Sequence, residues 1–408
     1  MHKASCPDHV ITDKDSRSAK FVLPTLLAAC SMLGPFSIDT AFPAFEVMGR
    51  DFAASANSMQ WVVSAYLFSF GVMSLFHGPL SDALGRKPVM IGGIGVYVVA
   101  SIGCALAPNL AMLIVFRSLQ GLSAGGGVIV SRTLVRDLYD GPAAQKLMAT
   151  VMMIFGLAPA IAPIVGGWIL QLGSWELIFW FLSAYGTLLV LAVWLLLPET
   201  HPTHLRTPFT ARALMAELVQ VSRSGRFHRM AWSGILLFAA WFIYVGAAAI
   251  VVFDLLRKGS NDFWILFVPL IGGVVLGAWA SRRTAGKIPD ATLISAGVLI
   301  ALVGALVNVS VAHLGLPWVV LAPAVCSFGA SLAYPSVQIA LFDMFPKARG
   351  AAASGFTFGQ LLVNSAVAVA LVPLIDATST TMATACLLIT MAAAALWWWT
   401  LRADLSAS

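Results

Sequence analysis

The stretch Gly78-Pro-Leu-Ser-Asp-Ala-Leu-Gly-Arg-Lys-Pro88 is a short polar turn between two apolar runs, at about residues 57–77 and 89–107. Each run has about the 20 apolar residues that a helix needs to cross roughly 30 Å of hydrocarbon. The turn carries the basic pair Arg86 and Lys87. It therefore predicts a hairpin of two membrane-spanning helices with positive charge at one side of the membrane.

The composition of the whole chain points to a membrane protein. Hydrophobic residues make up 59% of the 408 residues and charged residues only 10%, whereas a soluble domain carries about 25% charge. The mean hydropathy is +0.89. These values exclude a disordered chain, a secreted disulfide scaffold and a cytosolic enzyme. The net charge of +6 comes from scattered basic residues and does not form the basic stripe of a nucleic-acid-binding protein. The five cysteines lack CxxC or metal-ligand spacing, so we expect neither disulfides nor a metal.

Apolar runs long enough to span a bilayer recur along the entire chain. We count twelve, at about residues 21–45, 57–77, 89–107, 110–131, 147–169, 175–197, 229–252, 263–281, 291–312, 317–341, 350–373 and 379–401.

A single long polar connection, residues 198–228, divides the chain into two halves of six spans each. The sequence thus predicts an all-α membrane protein with two pseudo-symmetric six-helix bundles, residues 21–197 and 229–401. Tails cover residues 1–20 and 402–408. Within the central connection, residues 210–221 fit either a short amphipathic helix or a plain linker.

Basic residues are distributed unevenly between the two sides of the predicted bundle. If the amino terminus is cytoplasmic, 20 Lys and Arg residues lie inside, including Arg132 in the loop after span 4, and 3 lie outside. By the positive-inside rule, both termini and the central loop are predicted to be cytoplasmic.

The turn after span 2 resembles the G-x-L-x-D-R-x-G-R-K signature of the major facilitator superfamily. The matching residues are Gly78, Asp82, Gly85, Arg86 and Lys87, while Ala83 stands where the family has Arg. The resemblance implies a twelve-helix transporter fold and a gating role for this turn. The alternative is an ordinary positive-inside loop.

Two oppositely charged residues lie at similar depth within predicted spans, Asp39 in span 1 and Arg117 in span 4. Intramembrane charges are costly, and they are functional candidates by default. Asp39 can load and unload a proton, with Arg117 in the same buried network. The segment Arg117-Ser-Leu-Gln-Gly-Leu-Ser123 resembles the span-4 motif of drug/proton antiporters, which also carry an acid in span 1. Asp39 could instead be a hydrated structural partner of Arg117.

Span 5 carries small residues and prolines at three- and four-residue steps, which places them along one helix face. They are Gly156, Pro159, Pro163, Gly166 and Gly167. This pattern resembles the antiporter signature of the same superfamily, G-x-x-x-G-P-x-x-G-G, which is associated with exporters. A kinked packing helix in any transporter is the alternative.

Together these motifs resemble the twelve-span drug/proton antiporters of the bicyclomycin- and chloramphenicol-resistance type. The resemblance implies a proton-driven efflux transporter that works by alternating access as a functional monomer in the bacterial inner membrane. It implies no cofactor other than the proton gradient, and no catalysis. The expected partners are the lipid bilayer, protons and a small amphipathic or neutral substrate.

Polar and aromatic residues within spans near the expected central cavity are candidate substrate contacts, although each also fits a plain helix–helix contact. They are Tyr66, Gln120, Tyr244, Tyr334, Gln338 and Asn364.

Two other functions remain open. A proton-coupled uptake permease has the same fold, and the direction of coupled flux separates it from an exporter. A membrane-embedded lipid-modifying enzyme is a remote alternative, because no acid cluster or nucleophile–His arrangement lies within the spans.

Overall fold

The computed structural model describes residues 17–139, 141–206, 208–346 and 348–407, and every regular element in these ranges is a helix. The predicted N-terminal tail lies outside the described residues up to residue 16, as do Lys347 and Ser408. Twelve helices in the described ranges are long and apolar enough to cross a membrane. The predicted all-α membrane fold is confirmed.

The first half contains six spanning helices. They are α1 (Arg17–Asp39), α2 (Ala56–Leu84), α3 (Arg86–Ala105), α4 (Leu110–Leu138), α5 (Gly141–Gln171) and α6 (Glu176–Leu196). The second half repeats the pattern with α7 (Gly225–Gly246), α8 (Trp264–Thr284), α9 (Asp290–Val311), α10 (Trp318–Asp343), α11 (Arg349–Ala366) and α12 (Ser379–Ala407). A further helix, Ala211–Ser222, lies in the central connection and is called the linker helix.

The first span of each half is interrupted before it leaves the bundle. After α1 ends at Asp39, the chain continues as a 3-10 turn, Phe42–Ala44, and a helix, Phe45–Asp51. After α7 ends, a π-helical segment, Ile250–Leu255, follows. The predicted span 21–45 therefore extends to Asp51, which places Asp39 deeper in the bundle than its sequence position suggested.

Side-chain caps fix the starts of several helices. Ser55 Oγ accepts from the backbone N–H of Ser58 at 3.1 Å at the start of α2. Asn109 Oδ1 accepts from the N–H of Met112 at 2.9 Å at the start of α4. Such caps satisfy N–H groups that have no partner within the helix.

Twelve antiparallel spans bring the described ends of the chain and the linker helix to one end of the bundle. We call it the linker end, and we call the other the opposite end. The Arg229 guanidinium, at the start of α7, lies 5.2 Å from the Trp399 ring of α12 at the linker end.

The two halves meet towards the opposite end. Ser64 of α2 and Ser365 of α11 share a hydroxyl hydrogen bond of 2.7 Å, and the rings of Phe42 and Phe267 stack with centroids 6.4 Å apart. At mid-depth, Gly71 of α2 packs against Leu361 of α11.

Glycines of both halves border open space away from the contacts between Ser64 and Ser365. A methyl group added at Gly78, Gly156 or Gly350 would meet no other atom within 4 Å. Gly78 and Gly156 belong to the first half and Gly350 to the second, so open space borders both halves there.

Candidate functional site

The buried guanidinium of Arg117 closes the broken end of α1. Its Nη1 donates to the carbonyl oxygen of Ser37 at 2.8 Å, and its Nε donates to the carbonyl oxygen of Val62 at 3.1 Å. The last carbonyl groups of a helix lack intrahelical donors, and the helix dipole makes this end negative. Arg117 is fully buried, so it supplies one donor and the complementary charge to the end of α1, while its bond to Val62 ties this end to α2.

The break in α1 leaves Asp39 next to this network rather than inside it. The Asp39 carboxylate is 3% exposed, and among the described residues no hydrogen bond or ion pair reaches it. Arg117 is close enough for its charge to act on Asp39. The Nη2 group of Arg117 is buried and has no hydrogen-bond partner within the described chain. A spare donor and an unpaired carboxylate therefore share one buried region.

Two predicted substrate contacts belong to the Arg117 network instead. Gln120 Oε1 accepts from Arg117 Nη1 at 2.9 Å, and its Nε2 donates to Ser101 at 2.7 Å. The Tyr66 ring lies 4.8 Å from the Arg117 guanidinium, a cation–π distance. Both side chains are fully buried, so in this conformation they position Arg117 and do not line the open space.

The glycines predicted on α5 divide into two groups. A Cβ at Gly166 would overlap the carbonyl oxygen of Thr40, immediately after Asp39. A Cβ at Gly167 would lie 2.7 Å from the carbonyl oxygen of Ser260, in the second half. Gly156, in contrast, faces open space. Pro159 and Pro163 lie inside the uninterrupted helix α5.

The turn between α2 and α3 is a cluster of charges at the linker end. The Arg86 guanidinium contacts Asp82 Oδ1 at 2.5 Å and Asp137 Oδ2 of α4 at 3.0 Å. Lys87 Nζ donates to the carbonyl oxygen of Trp194 at 2.7 Å. These contacts tie the linker ends of α2, α3, α4 and α6 together.

Glu199 and Gly85 complete this cluster. The Glu199 carboxylate accepts from the backbone N–H groups of Arg86 and Lys87 at 3.0 and 3.2 Å, which caps α3. Gly85 has a φ of +102°, and a Cβ there would lie 2.6 Å from Glu199 Oε2. Gly78, the first residue of the matched signature, borders open space in this conformation.

Glu199 was not predicted from the sequence as a functional residue. The signal that could have found it is an acid directly after an apolar span, at the end of the bundle where Arg86 and Lys87 also lie.

Candidates in the second half lie in different surroundings. Tyr244 is buried, and its hydroxyl accepts from Asn308 Nδ2 at 2.5 Å. Asn364 is 3% exposed and precedes Ser365 at the contact between the halves. Tyr334 and Gln338 of α10 are half-buried.

Arg132 lies inside the bundle rather than in a loop. The predicted span 110–131 ended before it, but α4 continues to Leu138. The Arg132 guanidinium stacks at 4.6 Å on the ring of Phe155 of α5. It lies near enough to Tyr334 of the second half for the charges of the two groups to interact, so the two residues are neighbours from opposite halves.

The model of the Major Facilitator Superfamily matches residues 27–368 of this sequence. The chain belongs to the major facilitator superfamily. Its family and fold point to transport of small molecules across a lipid bilayer rather than to catalysis, and it is a multi-pass membrane protein. The predicted family is confirmed.

Related superfamily members cover most of the chain. The uncharacterized MFS-type transporter YdgK of Bacillus subtilis is 32% identical over 286 residues, which are 70% of this chain and 71% of that protein. The Bicyclomycin resistance protein homolog of Haemophilus influenzae is 25% identical over 280 residues, 69% and 70% of the two chains. Multidrug resistance protein D of Escherichia coli is 28% identical over 346 residues, 83% and 85% of the two chains.

A solved transporter structure has the same fold as this chain. A bacterial homolog of the human lysosomal transporter Spinster, in an inward-facing and unoccupied conformation, superposes with a TM-score of 0.73. It covers 97% of this chain and 98% of its own chain at 14% sequence identity.

Proposed function

We propose that this superfamily member is a proton-driven exporter of small amphipathic molecules, with Asp39 as the proton carrier. The observation that carries the proposal is the unpaired carboxylate of Asp39 at the break of α1, beside a buried Arg117 with a spare N–H group. Relatives named for bicyclomycin and multidrug resistance support drugs as the exported class.

The protonation state of Asp39 determines whether its carboxyl group needs a counter-ion. A neutral carboxyl group tolerates burial without a counter-ion far better than a carboxylate does. When the proton leaves, the carboxylate attracts the spare Nη2 group of Arg117. Because Arg117 also holds the end of α1 through Ser37, this attraction pulls on the break itself.

A short chain of contacts links that break to the other half. Thr40 follows Asp39 and packs directly against Gly166 of α5. The neighbouring Gly167 packs against Ser260 of the second half. Movement at the α1 break therefore reaches the contact between the halves through backbone packing, without a flexible side chain between them.

In alternating access, the two halves are in contact at one end of the bundle while the other end is open to substrate. The halves contact each other towards the opposite end, Gly78 and Gly350 border open space towards the linker end, and the positive-inside rule favours a cytoplasmic linker end. The conformation described here is thus the one that takes up substrate from the cytoplasm. Proton transfer at Asp39 drives the exchange between this state and the one that is open outside.

The test uses inside-out membrane vesicles with an acid interior and an internal pH-sensitive dye. Chloramphenicol-, bicyclomycin-, quinolone- and ethidium-like compounds are added to the wild type, to Asp39→Asn and to the control Asp254→Asn, an exposed acid at the opposite end. We expect substrate-triggered proton release from the wild type and the control, and none from Asp39→Asn.

Two other results would change the proposal. Release that persists in Asp39→Asn keeps the antiporter but moves the proton to another group. No release with any compound, at verified expression, favours an uptake permease, the alternative of the same fold. Proton-driven accumulation of a nutrient in right-side-out vesicles would then identify it.

A further inference from the structure

Arg132 is an unmatched cation in the space between the halves. Its Nε atom is buried without a hydrogen-bond partner in the described chain. Among the described residues no carboxylate forms an ion pair with it, and the titratable group near it is the phenol of Tyr334. The Phe155 ring covers one face of the guanidinium at 4.6 Å. An unpaired guanidinium inside a membrane protein is costly, so it marks a place where a counter-ion binds.

The second half presents an aromatic wall towards the same space. Phe238 and Trp241 of α7 lie edge to face with centroids 4.8 Å apart, and Phe238 lies 5.5 Å from Tyr334 of α10. Phe238, Trp241 and Tyr334 are all half-buried. Flat rings of this kind favour a flat aromatic ligand through offset or edge-to-face contact.

The unpaired polar groups on this wall and opposite it are donors. Trp241 Nε1 is buried without an acceptor, as is Arg132 Nε. The Tyr334 hydroxyl donates to Gln360 Oε1 at 2.5 Å, which leaves the Gln360 amide nitrogen to donate elsewhere. A ligand that satisfies these groups must bring acceptor atoms, and a carboxylate brings two oxygens in one plane.

We propose that the substrate of this exporter is an aromatic organic anion, whose carboxylate binds Arg132 while its ring lies against Phe238, Trp241 and Tyr334. This inference rests on the proposed function. It narrows the proposed substrates from amphipathic molecules in general to organic anions. Exchange of one proton for one monovalent anion moves two charges across the membrane in each cycle. Transport of this kind responds to an imposed membrane potential as well as to a pH gradient.

The test compares ligands that share one ring system and differ in charge. Binding of 2-naphthoate, 2-naphthamide and 2-naphthylmethylammonium to the purified full-length protein in lipid nanodiscs is measured by calorimetry. We expect 2-naphthoate to bind at least tenfold more tightly than the amide or the ammonium. Arg132→Gln should abolish this preference while leaving amide binding within about threefold. Arg132→Lys should keep part of the preference, and Arg282→Gln, at an exposed cation of α8, should keep all of it.

The wild-type charge series tests the proposal even if an Arg132 variant fails to fold. Equal or tighter binding of the amide or the ammonium to the wild type overturns it. So does an anion preference that survives in a folded Arg132→Gln, because Arg132 then serves another purpose, such as pairing with an acid in the other conformation.

Failure of the proposed function has a different signature. If 2-naphthoate binds through Arg132 but no compound releases protons from the vesicles, the anion site stands and proton-driven export does not. If a cationic drug releases protons through Asp39 while 2-naphthoate does not bind, export stands and the anion site does not.

Discussion

The guanidinium of Arg117 binds the carbonyl oxygen of Ser37 at 2.8 Å, two residues before Asp39. One side chain thereby binds the end of α1 and also places a positive charge near Asp39, the proposed proton carrier.

Replacing Arg117 by Lys tests this double role. A Lys ammonium keeps the charge, but it cannot reach the acceptors of Ser37, Val62 and Gln120 together in the planar geometry of guanidinium. We expect at least a tenfold loss of substrate-dependent proton release in the vesicle assay and a lower melting temperature. The control Arg50→Lys, at a side chain 70% exposed, should change neither. An Arg117→Lys protein with wild-type exchange would mean that charge alone suffices.

Two glycines on α5 provide a matched pair of substitutions. Gly166→Ala places a methyl group on the Thr40 carbonyl, whereas Gly156→Ala places one in open space. Overpacking typically costs about 1–3 kcal/mol, so we expect roughly a tenfold or greater loss of exchange for Gly166→Ala. Gly156→Ala should retain activity close to wild type. Equal activity of the two variants would contradict the packing of α5 on the α1 break.

The turn between α2 and α3 yields a prediction about stability. Gly85→Ala forces an L side chain into a positive-φ conformation and against Glu199, at a cost of about 1–3 kcal/mol. Gly78→Ala, seven residues earlier, meets no atom within 4 Å. Melting curves in detergent should therefore show a clear destabilisation for Gly85→Ala alone. Similar curves for both variants would indicate that Glu199 does not cap α3 as described.

The predicted orientation can be measured by labelling in whole cells. In a cysteine-free background, Ser174→Cys lies at an exposed position of the opposite end and Ser222→Cys at an exposed position of the linker helix. A membrane-impermeant maleimide should label Ser174→Cys in intact cells and Ser222→Cys only after permeabilisation. The reverse pattern would place the linker end outside and reverse the proposed direction of access.

The sequence was sufficient to predict the spans, because each depends on a local run of about 20 apolar residues. It also left open whether residues 210–221 form a helix, and the structure has one there, Ala211–Ser222. The break after Asp39 was missed because hydrophobic length alone set the bounds of that span, although Asp39, Thr40 and Pro43 interrupt the apolar run there.

The site was predictable only in part, for a physical reason. Intramembrane charges such as Asp39 and Arg117 are visible in sequence because they are costly there. Which polar residue faces the space between the halves depends on helix rotation, and Tyr66 and Gln120 turn instead towards Arg117. Arg132 was assigned to a loop because a basic residue ended the apolar run, although α4 continues past it.

Ser64 and Ser365 form a small polar contact between the halves. They share one hydroxyl bond, and Ser365 also donates to the Ser64 carbonyl at 3.0 Å. Two such bonds contribute only about 1–3 kcal/mol net. One proton that crosses 100 mV and one pH unit releases roughly 3.7 kcal/mol. One proton therefore releases more free energy than these two hydrogen bonds contribute, so the protonation of a single acid in the first half can offset their loss when the halves separate.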